Sequence, residues 1–120
     1  MLPLLAAASF ASVDVSFVPT KSAAARAALV WANVGPGDTL YELGCGDGRV
    51  AAEALELGAS VVCVERDPEL AAAAATHLLR AAGSRPERAK VITTDLFEVD
   101  LSEATAACAQ FSGRHGEATG

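Results

Sequence analysis

Three glycines in five residues, Gly44-Cys45-Gly46-Asp47-Gly48, stand between a short β-compatible stretch and a helical one. A strand, a tight glycine turn and a helix in that order make the first turn of an open parallel sheet. The flanks agree with that reading. Thr39–Leu43 (TLYEL) is short and flanked by glycine, as a strand should be. In RVAAEALEL, Val50, Ala54 and Leu57 share one helical face while Arg49, Glu53 and Glu56 share the other, and Gly58 sits at a C-cap position. Upstream, KSAAARAALVWANV predicts a helix over residues 21–32, stopped by the Gly35-Pro36-Gly37-Asp38 turn. Downstream, SVVCVE is the continuous apolar run of a strand buried on both sides. Asp67-Pro68 then caps a helix whose inner face is Leu70, Ala74, Leu78 and Ala81, Gly83 ends it, and KVITT (residues 90–94) is a third strand. The order is a helix followed by βαβαβ. It predicts an α/β fold, the N-terminal part of a Rossmann-like doubly wound parallel sheet.

Ligands of such sheets bind beyond the carboxyl ends of the strands. Three features gather there: the glycine loop with Glu42 before it, Glu65 at the end of the second strand, and Asp95 after the third, followed by Leu96 and Phe97. The glycines let a ligand reach backbone atoms. A carboxylate at Glu65 can accept both hydroxyl hydrogens of a ribose. An acid beside apolar side chains at Asp95 suits an adenine. Each has a plainer reading, as a turn, a helix cap or a solvated acid, but their coincidence at one end of three consecutive strands points to a nucleoside-type ligand. The dinucleotide fingerprint is G-x-G-x-x-G, whereas the loop here is G-x-G-x-G with Asp47 inside it and Glu42 before it. Two carboxylates beside a pyrophosphate repel it by about 1 kcal/mol or more per close pair. A ligand with an ammonium and a sulfonium, such as S-adenosylmethionine, is favoured by the same charges.

ELGCGDGRV resembles the first motif of the class I (Rossmann-like, seven-strand) S-adenosylmethionine-dependent methyltransferases, VVCVERDP their second-strand acidic segment, and TTDLF their third-strand acid. More narrowly, FVPT, PGDTLYELGCGDGRV, VERDPEL and TTDLFEVDLSEAT resemble the small protein-lysine methyltransferases, which include mitochondrial enzymes acting on the ADP/ATP carrier and the ATP synthase c subunit. The resemblance implies that Glu42, Gly44, Gly46 and Gly48 line the methionine part of the cofactor, Glu65 its ribose, and Asp95 with Leu96 its adenine, with Thr20 near the cofactor or a lid. It implies a protein substrate and in-line methyl transfer to a neutral lysine amine, for which a visible general base is not needed. It divides the chain into an extension (1–16), a partial cofactor-binding domain (17–105) and a polar tail (106–120).

Such a fold has about seven strands, and only three are legible. DLSEATAACAQ could start another element, but the FSGRHGEATG that follows is polar, glycine-rich and lacks the apolar alternation of a fourth strand. The chain therefore reads as the cofactor half of a methyltransferase without its substrate half, leaving the first strand's edge open. Two other functions stay in view: a non-catalytic or partner-dependent cofactor-binding module, and an NAD-type oxidoreductase, which the loop spacing opposes. Among 120 residues, 27 alanines and six aromatic side chains suggest closely packed helices. A net charge of −6 with no basic stripe argues against a nucleic-acid partner. Three cysteines without metal-type spacing suggest free thiols and an intracellular, reducing compartment. MLPLLAAASFASVDVSF carries no early positive charge, so it reads as a packed helix or frayed tail rather than a targeting signal, and it is too interrupted to span a membrane. Trp31 is expected to anchor the first helix, Cys63 to face the core, Cys45 to be a small packing residue, and His77 to lie at the core's edge. His115 lies in the tail without a partner, and no metal site is legible.

Overall fold

A computed structural model describes residues 8–10, 13–17 and 22–109. In chain order the elements are β1 (Ala8–Phe10), β2 (Val13–Phe17), α1 (Ser22–Trp31), β3 (Thr39–Leu43), α2 (Arg49–Glu56), β4 (Ser60–Val64), α3 (Pro68–Ala82), β5 (Ala89–Ile92) and β6 (Ala106–Ala109). The strands form one sheet in the order β1-β2-β6-β3-β4-β5, parallel from β2 through β5, with β1 antiparallel at the edge. The three expected strands are β3, β4 and β5. From β3 the chain winds one way to β4 and β5, then returns to place β6 on the other side of β3. The order of strands reverses at β3, the kind of position beyond whose carboxyl end ligands of open α/β sheets bind.

Local chemistry sets each boundary. Asp67 accepts from the Glu69 and Leu70 amides and Pro68 follows it, so α3 begins where the sequence predicted. At the end of α1 the stop is Asn33 rather than the downstream glycine turn. Asn33 takes a φ of 64°, and Val34 N–H donates back to Leu29 O at 3.0 Å. β6 is fixed to β3 at its start: the Thr39 amide donates to Thr105 Oγ1 at 2.8 Å, and that hydroxyl donates to Asp38 Oδ1 at 2.8 Å.

All three helices pack on one face of the sheet. There Ala25 and Leu29 of α1, Val50 and Leu55 of α2 and Ala74 and Leu78 of α3 join Leu40, Val61, Cys63 and Cys108 of the strands. The abundant alanines allow this close approach. On the opposite face Tyr41, Leu43, Val62, Val64 and Ala107 are covered, among the described residues, by the connection bearing Leu96, Val99 and Leu101. Among the described residues no helix is long and apolar enough to cross a membrane.

Four expectations are corrected. The N-terminal stretch contributes two strands, not a helix or a frayed tail: Val13, Val15 and Phe17 alternate with Asp14 and Ser16, and period two is a strand's period. Ala106–Ala109, expected to open the polar tail, form a parallel strand between β2 and β3, so the edge of β3 is covered. A strand enclosed by two neighbours and two faces has no need to alternate, which is why residues 106–109 were not told apart from the tail. Trp31 is 85% exposed and does not anchor α1, whose buried contacts come from Ala25 and Leu29. Cys45 and Cys63 are paired as a disulfide, with Cα atoms 5.5 Å apart, leaving Cys108 as a buried free thiol. Parallel register brings them together, since Cys63 lies opposite Glu42 on β4 and Cys45 turns back over the end of β3. The pairing removes the cysteine-count argument for a reducing compartment.

Candidate cofactor site

The glycine loop leaves β3 at the sheet's switch point. Gly44, Gly46 and Gly48 have φ of 73°, 60° and 87°. At Gly48 glycine is required twice over: the φ is left-handed, and a Cβ would lie 3.2 Å from Ala74 Cβ on α3. At Gly46 a Cβ would meet nothing within 4 Å, so that residue presents bare backbone to open space.

The loop's amides are already engaged. Gly44 and Cys45 both donate to Val64 O (2.8 and 3.0 Å), Gly46 to Glu65 Oε1 (2.8 Å) and Gly48 to Cys45 O (3.0 Å). A loop that cradles a pyrophosphate aims its N–H groups outward at the anion. Four of these five amides point into the protein instead, and Asp47 adds a half-exposed carboxylate held by Arg49 Nε at 3.0 Å. This arrangement suits a ligand without phosphate.

Glu42 is fully buried beneath the loop rather than on its surface. Its Oε1 accepts the Ala51 amide at 3.0 Å, capping α2 from the preceding strand, and its Oε2 has no partner. Burial pushes its carboxyl up to about 8; the Ala51 bond opposes the shift, and Asp47 and Glu65 add to it. Glu65, at the end of β4, is 8% exposed. Its Oε1 ties Gly46 and its Oε2 accepts the Asp67 amide at 2.9 Å, so it fastens the loop to the start of α3. Each carboxylate oxygen keeps a lone pair, enough for the two hydroxyls of a ribose.

Asp95 follows β5 and caps a single 3-10 turn, accepting the Phe97 amide at 2.9 Å. Leu96 packs into the second core, and Phe97 is 88% exposed. The structure thus brings Glu42, Gly44, Gly46, Gly48 and Glu65 together, with Asp95 and Leu96 following the adjacent edge strand. Thr20 lies outside the described residues. His77 lies half-buried at the core's edge as expected, but sequence reasoning did not foresee its contact with the loop, where its Nδ1 lies 3.3 Å from Asp47 O. Its spacing from Ala74, which abuts Gly48, was the available signal. Among the described residues no group of His, Cys, Asp or Glu is placed to hold a metal ion.

These residues fit S-adenosylmethionine: an open glycine backbone at Gly46, a ribose-capable carboxylate at Glu65 and the half-exposed Asp47 carboxylate, with no outward amide cradle for phosphate. Comparison with known proteins agrees. A protein-lysine N-methyltransferase of Saccharolobus islandicus is 36% identical over 94 residues, 76% of this chain and 56% of that protein. An RNA methyltransferase from Salinibacter ruber, solved with S-adenosyl-L-homocysteine, superposes with a TM-score of 0.71 at 32% identity, over 84% of this chain and 65% of its own. A dimethyladenosine transferase from Plasmodium falciparum shares the fold, with a TM-score of 0.64 at 16% identity over 80% of this chain and 34% of its own. The chain spans little more than half the length of its curated relative. Its sequence matches the ribosomal RNA adenine dimethylase family over residues 16–114, and with the glycine loop, the ribose-side acid and the reversed sheet all inside that span the chain belongs to this family of Rossmann-like S-adenosylmethionine-dependent methyltransferases.

Proposed function

We propose that this chain binds S-adenosylmethionine at the glycine loop and that the protein transfers its methyl group to a lysine amine of a protein substrate. The inward-turned amides of the loop carry the reading, because they leave an acidic, phosphate-averse surface at the switch point. Gly44, Gly46 and Gly48 lie along the methionine portion, Glu65 takes the ribose, and Asp95 with Leu96 takes the adenine. Thr20 keeps its sequence assignment near the cofactor. Glu42 acts from beneath by holding α2 against the loop. When bound, the cofactor supplies an electrophilic methyl on a sulfonium. The methyl passes to the neutral amine, S-adenosylhomocysteine is left, and the amine loses a proton.

The lysine assignment rests on charge. A chain of net charge −6, with Asp47, Asp67 and Asp95 around the strand ends, attracts an ammonium and repels a phosphate backbone. The curated relative from Saccharolobus islandicus supports it, as does the sequence likeness to the carrier and c-subunit enzymes. RNA is the second reading, favoured by the family description and by the Salinibacter ruber relative.

The test has two stages. Calorimetric titration should give binding of S-adenosylmethionine and S-adenosylhomocysteine but not of NAD, weakened at least tenfold in Glu65→Ala. Label from methyl-tritiated cofactor should then pass to a lysine-rich protein and not to ribosomal RNA. Equal binding of NAD would overturn the cofactor assignment. Label found on RNA alone would overturn the lysine assignment.

A further inference from the structure

The glycine loop carries two anchors recognised above, Glu65 on Gly46 and Arg49 on the Asp47 carboxylate. A third comes from α3. His77 is half-buried on the helix face that includes Ala74 and Leu78, and these two are the atoms a Cβ at Gly48 would strike, at 3.2 Å and 3.4 Å. One turn further along, His77 Nδ1 lies 3.3 Å from Asp47 O. The peptide joining Asp47 to Gly48 is therefore held at both ends, its carbonyl at His77 and its N–H on Cys45 O at 3.0 Å. That peptide sits between two left-handed glycines, Gly46 at 60° and Gly48 at 87°. Left-handed glycines have the widest choice of conformation in a chain, so peptides beside them flip readily unless fixed.

We propose that His77 is a positioning residue for the cofactor loop: a protonated Nδ1 donates to the Asp47 carbonyl and keeps the Asp47–Gly48 peptide in the orientation that leaves Gly46 open to the ligand. The inference rests on the reading that this loop takes S-adenosylmethionine. A hydrogen bond to a carbonyl requires the proton on Nδ1, so the neutral ring is held in its Nδ1–H tautomer. The side chain touches the loop from behind and meets no reacting atom. Its loss acts on cofactor affinity through a less ordered loop.

Two measurements test this. The first is ¹⁵N NMR of the imidazoles in the unaltered chain above pH 7.5, with the His77 signals identified by their loss in His77→Asn. A protonated Nδ1 with a bare Nε2 is expected. A bare Nδ1 would overturn the proposal, whatever any variant does. The second compares S-adenosylhomocysteine affinity in His77→Asn, which places an amide N–H where Nδ1 was, with His77→Leu, which keeps bulk and loses the donor. Asn should bind within about twofold of wild type, and Leu should bind about fivefold to tenfold more weakly, the size of one ordinary hydrogen bond. Equal affinity in wild type and Leu, or equal loss in Asn and Leu, would overturn the positioning role while the cofactor reading stands. A folded wild type that binds no S-adenosylhomocysteine would bring down both, an outcome distinct from the other two.

Discussion

Glu42 answers to two opposed demands. The first amides of α2 have no partner within the helix, and buried Ala51 N–H finds one in Oε1 at 3.0 Å. The same side chain is fully buried with a second oxygen unpartnered, and its carboxyl is pushed up to about 8 from an ordinary 4.5. The native state thus keeps a proton that the unfolded chain releases. Stability should fall as pH rises from about 4.5 to about 8 and level off above, by an amount on the order of a few kcal/mol. Glu42→Gln retains an acceptor for Ala51 and cannot ionise, so its denaturation midpoint should be flatter over that range and exceed the wild type's at pH 8.5. Parallel curves for the two proteins would show that Glu42 is not the titrating group. Gly48 poses a simpler question of space. Gly48→Ala forces a Cβ onto Ala74 and a left-handed φ onto an L-residue, a cost of roughly 1–3 kcal/mol. Urea unfolding should register that loss, and S-adenosylhomocysteine affinity should drop with it as the loop moves off α3.

At the scale of elements, legibility followed how far apart in sequence the deciding contacts lie. β3, β4, α2 and α3 were legible because their signals are local: the glycine loop, the apolar run of β4, the Asp67-Pro68 start. β5 came within two residues. β6 was not legible, since four small residues become a strand only when Thr105 is fastened to Thr39 and Asp38, 66 and 67 residues away. The site divided in the same way. Gly44, Gly46, Gly48 and Glu65 were grouped as candidates from spacing along the chain, while the burial of Glu42 under its own loop and the His77 contact needed the packing of α2 and α3. The Cys45–Cys63 bond belongs with them, a consequence of parallel register between strands that no count of cysteines reveals. It can be counted chemically. Chain unfolded without reductant should expose one reactive thiol, Cys108, and three after reduction; three before reduction would exclude the bond. With the cysteines at a sequence separation of 18, reduction should lower stability by about 3 kcal/mol. In the native protein Cys108 should resist alkylation, because burial pushes its thiol well above the ordinary range.

Across the whole molecule the sheet is continuous because β2 closes it on the side that β3 cannot. β6 is enclosed by β2 and β3, with Val15 opposite Ala107 on one side and Tyr41 opposite Ala107 on the other. Without β2, a strand of small apolar residues would become an exposed parallel edge next to the switch point, the kind of surface that pairs with another chain. The N-terminal strands therefore act as the sheet's closure as well as its beginning, and damage to them should reach the core. Val15→Pro tests this at the centre of β2, which has neighbours on both sides. Proline removes a ladder N–H and strands its acceptor, a loss of roughly 2–4 kcal/mol. The variant should unfold at lower urea and elute as dimers or larger species at micromolar concentration, whereas Val15→Thr, which keeps the branched strand-forming shape, should remain close to wild type. An unchanged midpoint and a monomeric elution profile for Val15→Pro would mean that β2 does not hold the sheet together, and that β6 is secured by its ladder to β3 and by Thr105.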